Sequence, residues 1–119
     1  MTEFKKFKIW QKGMDLVLLI YELSKKLPND EKYAIRSQIT RAAFSIPSNI
    51  AEGSSRSSQK ELKRFLEIAL GSAYELETQL LCIQKLELLN DNHINEILIM
   101  LNEEQKMINS FMNKLKSNI

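Results

Sequence analysis

The stretch SQKELKRFLEIALGSAYELETQLLCI, residues 58–83, decides the fold class. Leu62, Leu66, Ala69, Ala73, Leu76, Leu80 and Ile83 recur at alternating spacings of four and three, the repeat of one face of an α-helix. A half-buried strand alternates every second residue instead. Ser58 stands ahead of this seam with Glu61 three residues on, a capping box that marks where the helix begins.

The same period runs outward in both directions. Upstream, Ile35, Ile39, Ala42, Ile46 and Ile50 share one face. Pro47 lies inside that pattern, and because the apolar spacing continues past it, the sequence predicts a kinked helix closed by Gly53 as its C-terminal cap. Further upstream, one seam reads Trp10, Met14, Val17, Tyr21 and a neighbouring one reads Ile9, Gly13, Leu16, Ile20, Leu23, Leu27. LPND (27–30) stops this helix, Asn29 or Asp30 caps the next, and Asp30 and Glu31 sit near its positive dipole end. Downstream of LLNDN (88–92), a fourth seam reads Ile94, Leu98, Leu101, Gln105, Ile108, Met112, Leu115. The predicted helices cover roughly residues 5–27, 30–52, 58–89 and 91–117 of one domain, 1–119. Short loops make an all-α, antiparallel up-down-up-down four-helix bundle the simplest arrangement.

Composition agrees. With three glycines and two prolines in 119 residues, the chain has too few turn formers for a many-stranded β fold. The run LVLLI (16–20) is five residues long, against ~20 for a bilayer span, so no membrane association is expected. The single cysteine, Cys82, suits a reducing compartment and reads as a small core residue; the expected localisation is cytoplasmic.

Enzyme chemistry finds few players. His93 has no Cys, Asp or Glu arrangement around it that would close a metal site, and no Glu-x-x-His pair occurs. No glycine-rich phosphate loop is present. The sequence therefore points to a non-enzymatic protein with no cofactor and no metal. The polar cluster in RAAFSIPSNIAEGSSRSS (41–58) reads mainly as an architectural corner. Ala42, Ala43 and Ser45 are expected opposite Ala69, Gly71, Ser72 and Ala73, at positions totalling roughly 110. Asn49 and Glu52 are expected to satisfy backbone donors at the start of the third helix, with Glu52 also pairing with Arg56 or Arg41.

Charge gives the functional signal. The net charge is only +2, but residues 1–56 carry ten Lys/Arg against six Asp/Glu, and residues 57–119 carry seven against nine. An up-down bundle gathers Lys5, Lys6, Lys8, Lys12, Arg56, Lys60, Lys63, Arg64, Lys114 and Lys116 at one end. Clustered cations of this kind are the footprint of a phosphate-backbone partner. The predicted nucleic-acid contacts are Lys5, Lys6, Lys8, Lys12, Arg56, Lys60, Lys63 and Arg64. Phe4, Phe7 and Trp10 lie among the lysines, available either for stacking on bases or for the core. Residues 16–20 are apolar all round, so Leu18 and Leu19 are either isolated exposed leucines or part of a subunit interface.

QITRAAFSIPSNIAEGSSR (38–56), followed by FLEIALGSAYELETQL (65–80), resembles the four-helix-bundle proteins encoded in intervening sequences of bacterial 23S ribosomal RNA genes. LPNDEKYAIRSQ and the pattern around Trp10 and Tyr21 extend the resemblance over roughly residues 5–90. It implies a homopentameric ring. It also implies kinship with the accessory proteins of diversity-generating retroelements, basic pentameric barrels that bind nucleic acid and a reverse transcriptase. The expected function is RNA or other nucleic-acid binding by a homo-oligomer. The alternative is an adaptor ring that engages a protein partner, such as a polymerase, without touching nucleic acid.

Overall fold

The computed structural model describes residues 3–28, 32–90 and 92–116. A 3₁₀ turn (Phe4–Lys6) leads into α1 (Lys8–Ser24), α2 (Lys32–Ser54), α3 (Gln59–Lys85) and α4 (His93–Lys116), with no strand among the described residues. At 1.5 Å per residue α3 is ~40 Å long. It therefore lies along the long axis of a molecule measuring 47 × 20 × 19 Å. Each helix packs on its chain neighbour, and α4 closes back on α1. The caps expected at Asn29, Asp30 and Glu31, and the Lys116 side chain, lie outside the described residues.

The helix seams build the core. From α3, Leu66, Ala69, Ala73, Leu76, Leu80 and Ile83 are buried. They meet Ile39, Ala42, Ile46 and Ile50 of α2 and Ile94, Leu101 and Ile108 of α4 within one cluster. On α1 the two seams separate. Ile9, Leu16, Ile20 and Leu23 are buried, whereas Met14 and Tyr21 of the other seam are exposed. Burying several side chains of this size, each worth ~1.5–3 kcal/mol, is what holds the four helices together.

Several local expectations need correction. The first helix ends at Ser24 rather than residue 27, although Leu27 remains buried beyond it. α2 continues through Pro47 to Ser54, and Gly53 has no positive φ, so it is not a left-handed cap. Its role is steric, because a Cβ there would lie 2.8 Å from Phe65 Cβ on α3. α3 stops at Lys85, where Glu87 adopts φ 53° and the Leu88 N–H donates back to the Ile83 carbonyl. That geometry closes the helix, so it does not extend to the expected residue 89.

The expected face of small residues between α2 and α3 is present: Ser45 Oγ bonds Ser72 Oγ at 2.7 Å, and Ala42, Ala43, Ala69 and Ala73 are buried. The positions of facing partners total 117 rather than roughly 110, in Ser45–Ser72 and in Gln38–Gln79, where Gln79 Nε2 donates to Gln38 Oε1 at 3.2 Å. Gly71 differs from the expectation, since it faces open space rather than α2. Asn49 donates to the Ser45 carbonyl and hydroxyl, and the cap of α3 is left to Ser58, whose Oγ accepts from the Glu61 N–H at 3.1 Å.

Candidate nucleic-acid interface

The predicted cations come from three segments. Lys5 and Lys6 are exposed on the 3₁₀ turn, which packs against α1 and α2. The turn is held by Gln11, whose Nε2 donates to the Lys5 carbonyl at 2.9 Å, and by an edge-on contact of Phe4 with Trp10, centroids 5.4 Å apart. Lys8 opens α1 and is exposed. Lys60 and Arg64 are exposed in the first turns of α3, and Lys63 is half-buried beside them. None of these six cations is ion-paired with a described residue.

Two predicted contacts are already engaged. Lys12 Nζ lies 3.1 Å from Glu103 Oε1 of α4. Arg56 pairs with Glu52 one turn earlier, as the sequence indicated, and its guanidinium lies 4.8 Å from the centroid of the Phe65 ring. This leaves Arg56 braced across the α2–α3 corner, with its planar face on an aromatic ring.

Sequence reading missed two features of this region. The first is Lys106, which lines a concave site of about 370 Å³ between α1 and α4 with Lys8, Ser110, Lys114, Met107 and Phe111. Its signal was the spacing of Lys106, Ser110 and Lys114 at four and four, one stripe of a helix. The second is Glu104, fully buried, with both carboxyl oxygens lacking a hydrogen-bond partner. It reaches from α4 to the α1–α2 seam. A Cβ on Gly13 would lie 3.3 Å from Glu104 Oε2 and 3.4 Å from Pro47 Cβ, so only a glycine leaves full room for the carboxyl. Burial raises its pKa from 4.5 to about 8, against the opposing pull of Lys12, and it is mostly neutral at pH 7.

A second surface is apolar. Trp10, Met14 and Val17 of α1 and Phe44, Pro47, Ser48 and Ala51 of α2 line a cleft of about 270 Å³, and exposed Leu18 and Tyr21 extend the apolar side of α1. The side chains with catalytic chemistry are dispersed. Cys82 is exposed rather than in the core, because Leu80 and Ile83 take the inward positions of that turn. His93 is exposed with Nδ1 3.1 Å from Glu96 Oε2. Arg41 is exposed, and Glu52 is held by Arg56. No cluster of three or more His, Cys, Asp or Glu side chains able to hold a metal occurs among the described residues. Among them, too, no helix is long and apolar enough to cross a membrane.

No curated protein matches the chain. A crystal structure of a protein of unknown function from the S23 ribosomal protein family of Bacteroides thetaiotaomicron is similar, with a TM-score of 0.81 and 27% identity. The match covers 88% of this chain and 95% of that one. The family model for the 23S rRNA-intervening sequence protein matches residues 5–110, the segment that carries the first three helix seams, the fourth as far as Ile108, and most of the basic residues. The chain belongs to the 23S rRNA-intervening sequence protein family.

Proposed function

We propose that this protein is a non-enzymatic, cytoplasmic homo-oligomer that binds RNA through the basic end of an antiparallel up-down-up-down bundle. The antiparallel reading is supported by cross-helix partners whose numbers run in opposite senses: Ser45–Ser72 with Gln38–Gln79, and Phe7–Phe111 with Lys12–Glu103. The observation that carries the functional reading is the set of cations without carboxylate partners at Lys5, Lys6, Lys8, Lys60, Lys63 and Arg64. The first turn of α3 adds oriented backbone N–H groups and the positive end of a dipole. Arg56 and Lys12 contribute field rather than contacts, since each already has an acidic partner.

The apolar α1–α2 cleft is the subunit interface of this reading, and a homopentameric ring is the assembly the family resemblance implies. A ring multiplies weak phosphate contacts by presenting the same cations several times to one polyanion. Light scattering is expected to give a mass near five times the 13.9 kDa of one chain. A monomer in solution would end the ring reading.

Charge reversal at Lys60, Lys63 and Arg64 together is expected to weaken binding of single-stranded RNA by at least ~10-fold in ~100 mM salt, because each lost phosphate contact also removes counterion release. Unchanged affinity in fluorescence anisotropy would remove α3 from the interface. A wild-type protein that ignores RNA at low salt would favour the adaptor instead.

A further inference from the structure

From the α1–α4 side of the molecule we infer a specific subsite, resting on the RNA-binding reading. The groove of Lys8, Lys106, Ser110 and Lys114 takes the phosphodiester backbone of a single RNA strand, with the nucleoside against Met107 and Phe111. Residues 4–14 hold four lysines and residues 105–119 hold three, and neither segment contains an Asp or Glu. The two segments face each other, because Phe7 packs edge-on against Phe111 with centroids 5.0 Å apart and Lys12 pairs with Glu103 at the groove's far limit. Neither Lys8 nor Lys106 is ion-paired with a described residue. Glu104, the nearest carboxyl along α4 after Glu103, points into the core and does not oppose this field from the surface.

Shape distinguishes the ligand. The groove is a shallow, open concavity of about 370 Å³, with volume for a nucleotide-sized group but lying open to solvent. It suits one nucleotide of a flexible strand better than the rigid outer surface of a duplex. Lys106 and Lys114 are eight residues apart on α4, ~12 Å along its axis. That length is more than one isolated anion spans and reaches two phosphates of one strand that are not immediate neighbours. The lining is amphipathic: Ile9 is buried and Met107 and Phe111 are half-buried, whereas Lys8, Lys106, Ser110 and Lys114 are exposed. Phe111 is half-buried and braced by Phe7, so its ring is held in place before any base arrives.

The test uses the full chain and a fluorescein-labelled oligouridine. Lys106→Glu with Lys114→Glu is expected to lower affinity at least ~10-fold and to reduce the slope of log affinity on log salt by about two phosphate contacts' worth. Lys25→Glu with Lys85→Glu changes net charge equally and is expected to bind within twofold of wild type. Bound oligouridine is also expected to shield Lys106 and Lys114 from an amine-acylating reagent, read by mass spectrometry. If wild type binds but the groove variant matches the control, or if both lysines acylate equally with and without RNA, the groove is wrong while the RNA-binding reading stands. If wild type binds no oligouridine in low salt, both fall. Equal competition by inorganic phosphate at matched ionic strength would make the groove a simple anion site and overturn the strand proposal.

Discussion

At pH 9, Glu104→Met is expected to unfold with a free energy ~3–5 kcal/mol higher than wild type, and the difference should shrink to near zero or reverse below pH 4.5. The Glu104 carboxyl is fully buried without a hydrogen-bond partner, and burial raises its pKa from 4.5 to about 8. Below pH 4.5 it is protonated in both folded and unfolded chains, so the native state carries its full stability. Between pH 4.5 and 8 the unfolded chain releases this proton while the folded one keeps it, and stability falls steadily. Above about pH 8 the folded carboxyl ionises too and the loss levels off. Each pH unit across that window is worth ~1.4 kcal/mol. Methionine fills similar volume beside Gly13 without a group that titrates. Chemical denaturation from pH 4 to 9 measures the effect. Identical pH slopes in variant and wild type would show that Glu104 finds a partner in solution.

Two glycines are expected to answer the same substitution with opposite signs. Gly53→Ala places a Cβ 2.8 Å from Phe65 Cβ, 3.1 Å from Leu62 Cδ1 and 3.3 Å from the Leu62 carbonyl oxygen. Phe65 Cβ is the stem of its side chain, so no rotamer change relieves the contact and α2 must move off α3. Overpacking of this kind costs ~1–3 kcal/mol, more than the ~1 kcal/mol that alanine gains over glycine inside a helix. Gly53→Ala should therefore lower stability by up to ~2 kcal/mol, and Gly53→Val by more. Gly71 is also inside a helix, but a Cβ there meets nothing within 4 Å. Gly71→Ala should raise stability by ~0.5–1 kcal/mol. Equal effects at the two sites would mean that α2 and α3 do not approach as closely at residue 53 as described.

The glycine pair marks how far the sequence could be read. The α3 seam was fully legible, because seven apolar positions repeat without a break and Ser58 announces where they begin. The role of Gly53 was not. A glycine at a helix end carries the same signature whether it supplies a left-handed cap or a close approach, and only the position of Phe65 separates the two. The face shared by α2 and α3 was legible but its offset was not, because Ala42, Ala43 and Ser45 fit against Ala69, Ser72 and Ala73 at more than one register.

On α1 both seams are apolar, and the string alone does not say which faces inward. Burial of Ile9, Leu16, Ile20 and Leu23 leaves Met14 and Tyr21 exposed, with Trp10 and Val17 half-buried at the edge of the core. Glu104 was hidden in the polar string NEEQK. Yet the series Ile97, Leu101, Glu104, Ile108 is spaced four, three and four, and that period places it inside. Lys106 escaped because it lies more than two turns from the helix end, where an argument from bundle ends does not look.

The most direct test of the account is the salt dependence of wild-type binding to a single-stranded RNA. If the basic side neutralises three or four phosphates per strand contact, affinity should fall ~20- to 50-fold between ~50 and ~200 mM monovalent salt. Binding that is absent at ~50 mM, or that persists unchanged to ~200 mM, would contradict it.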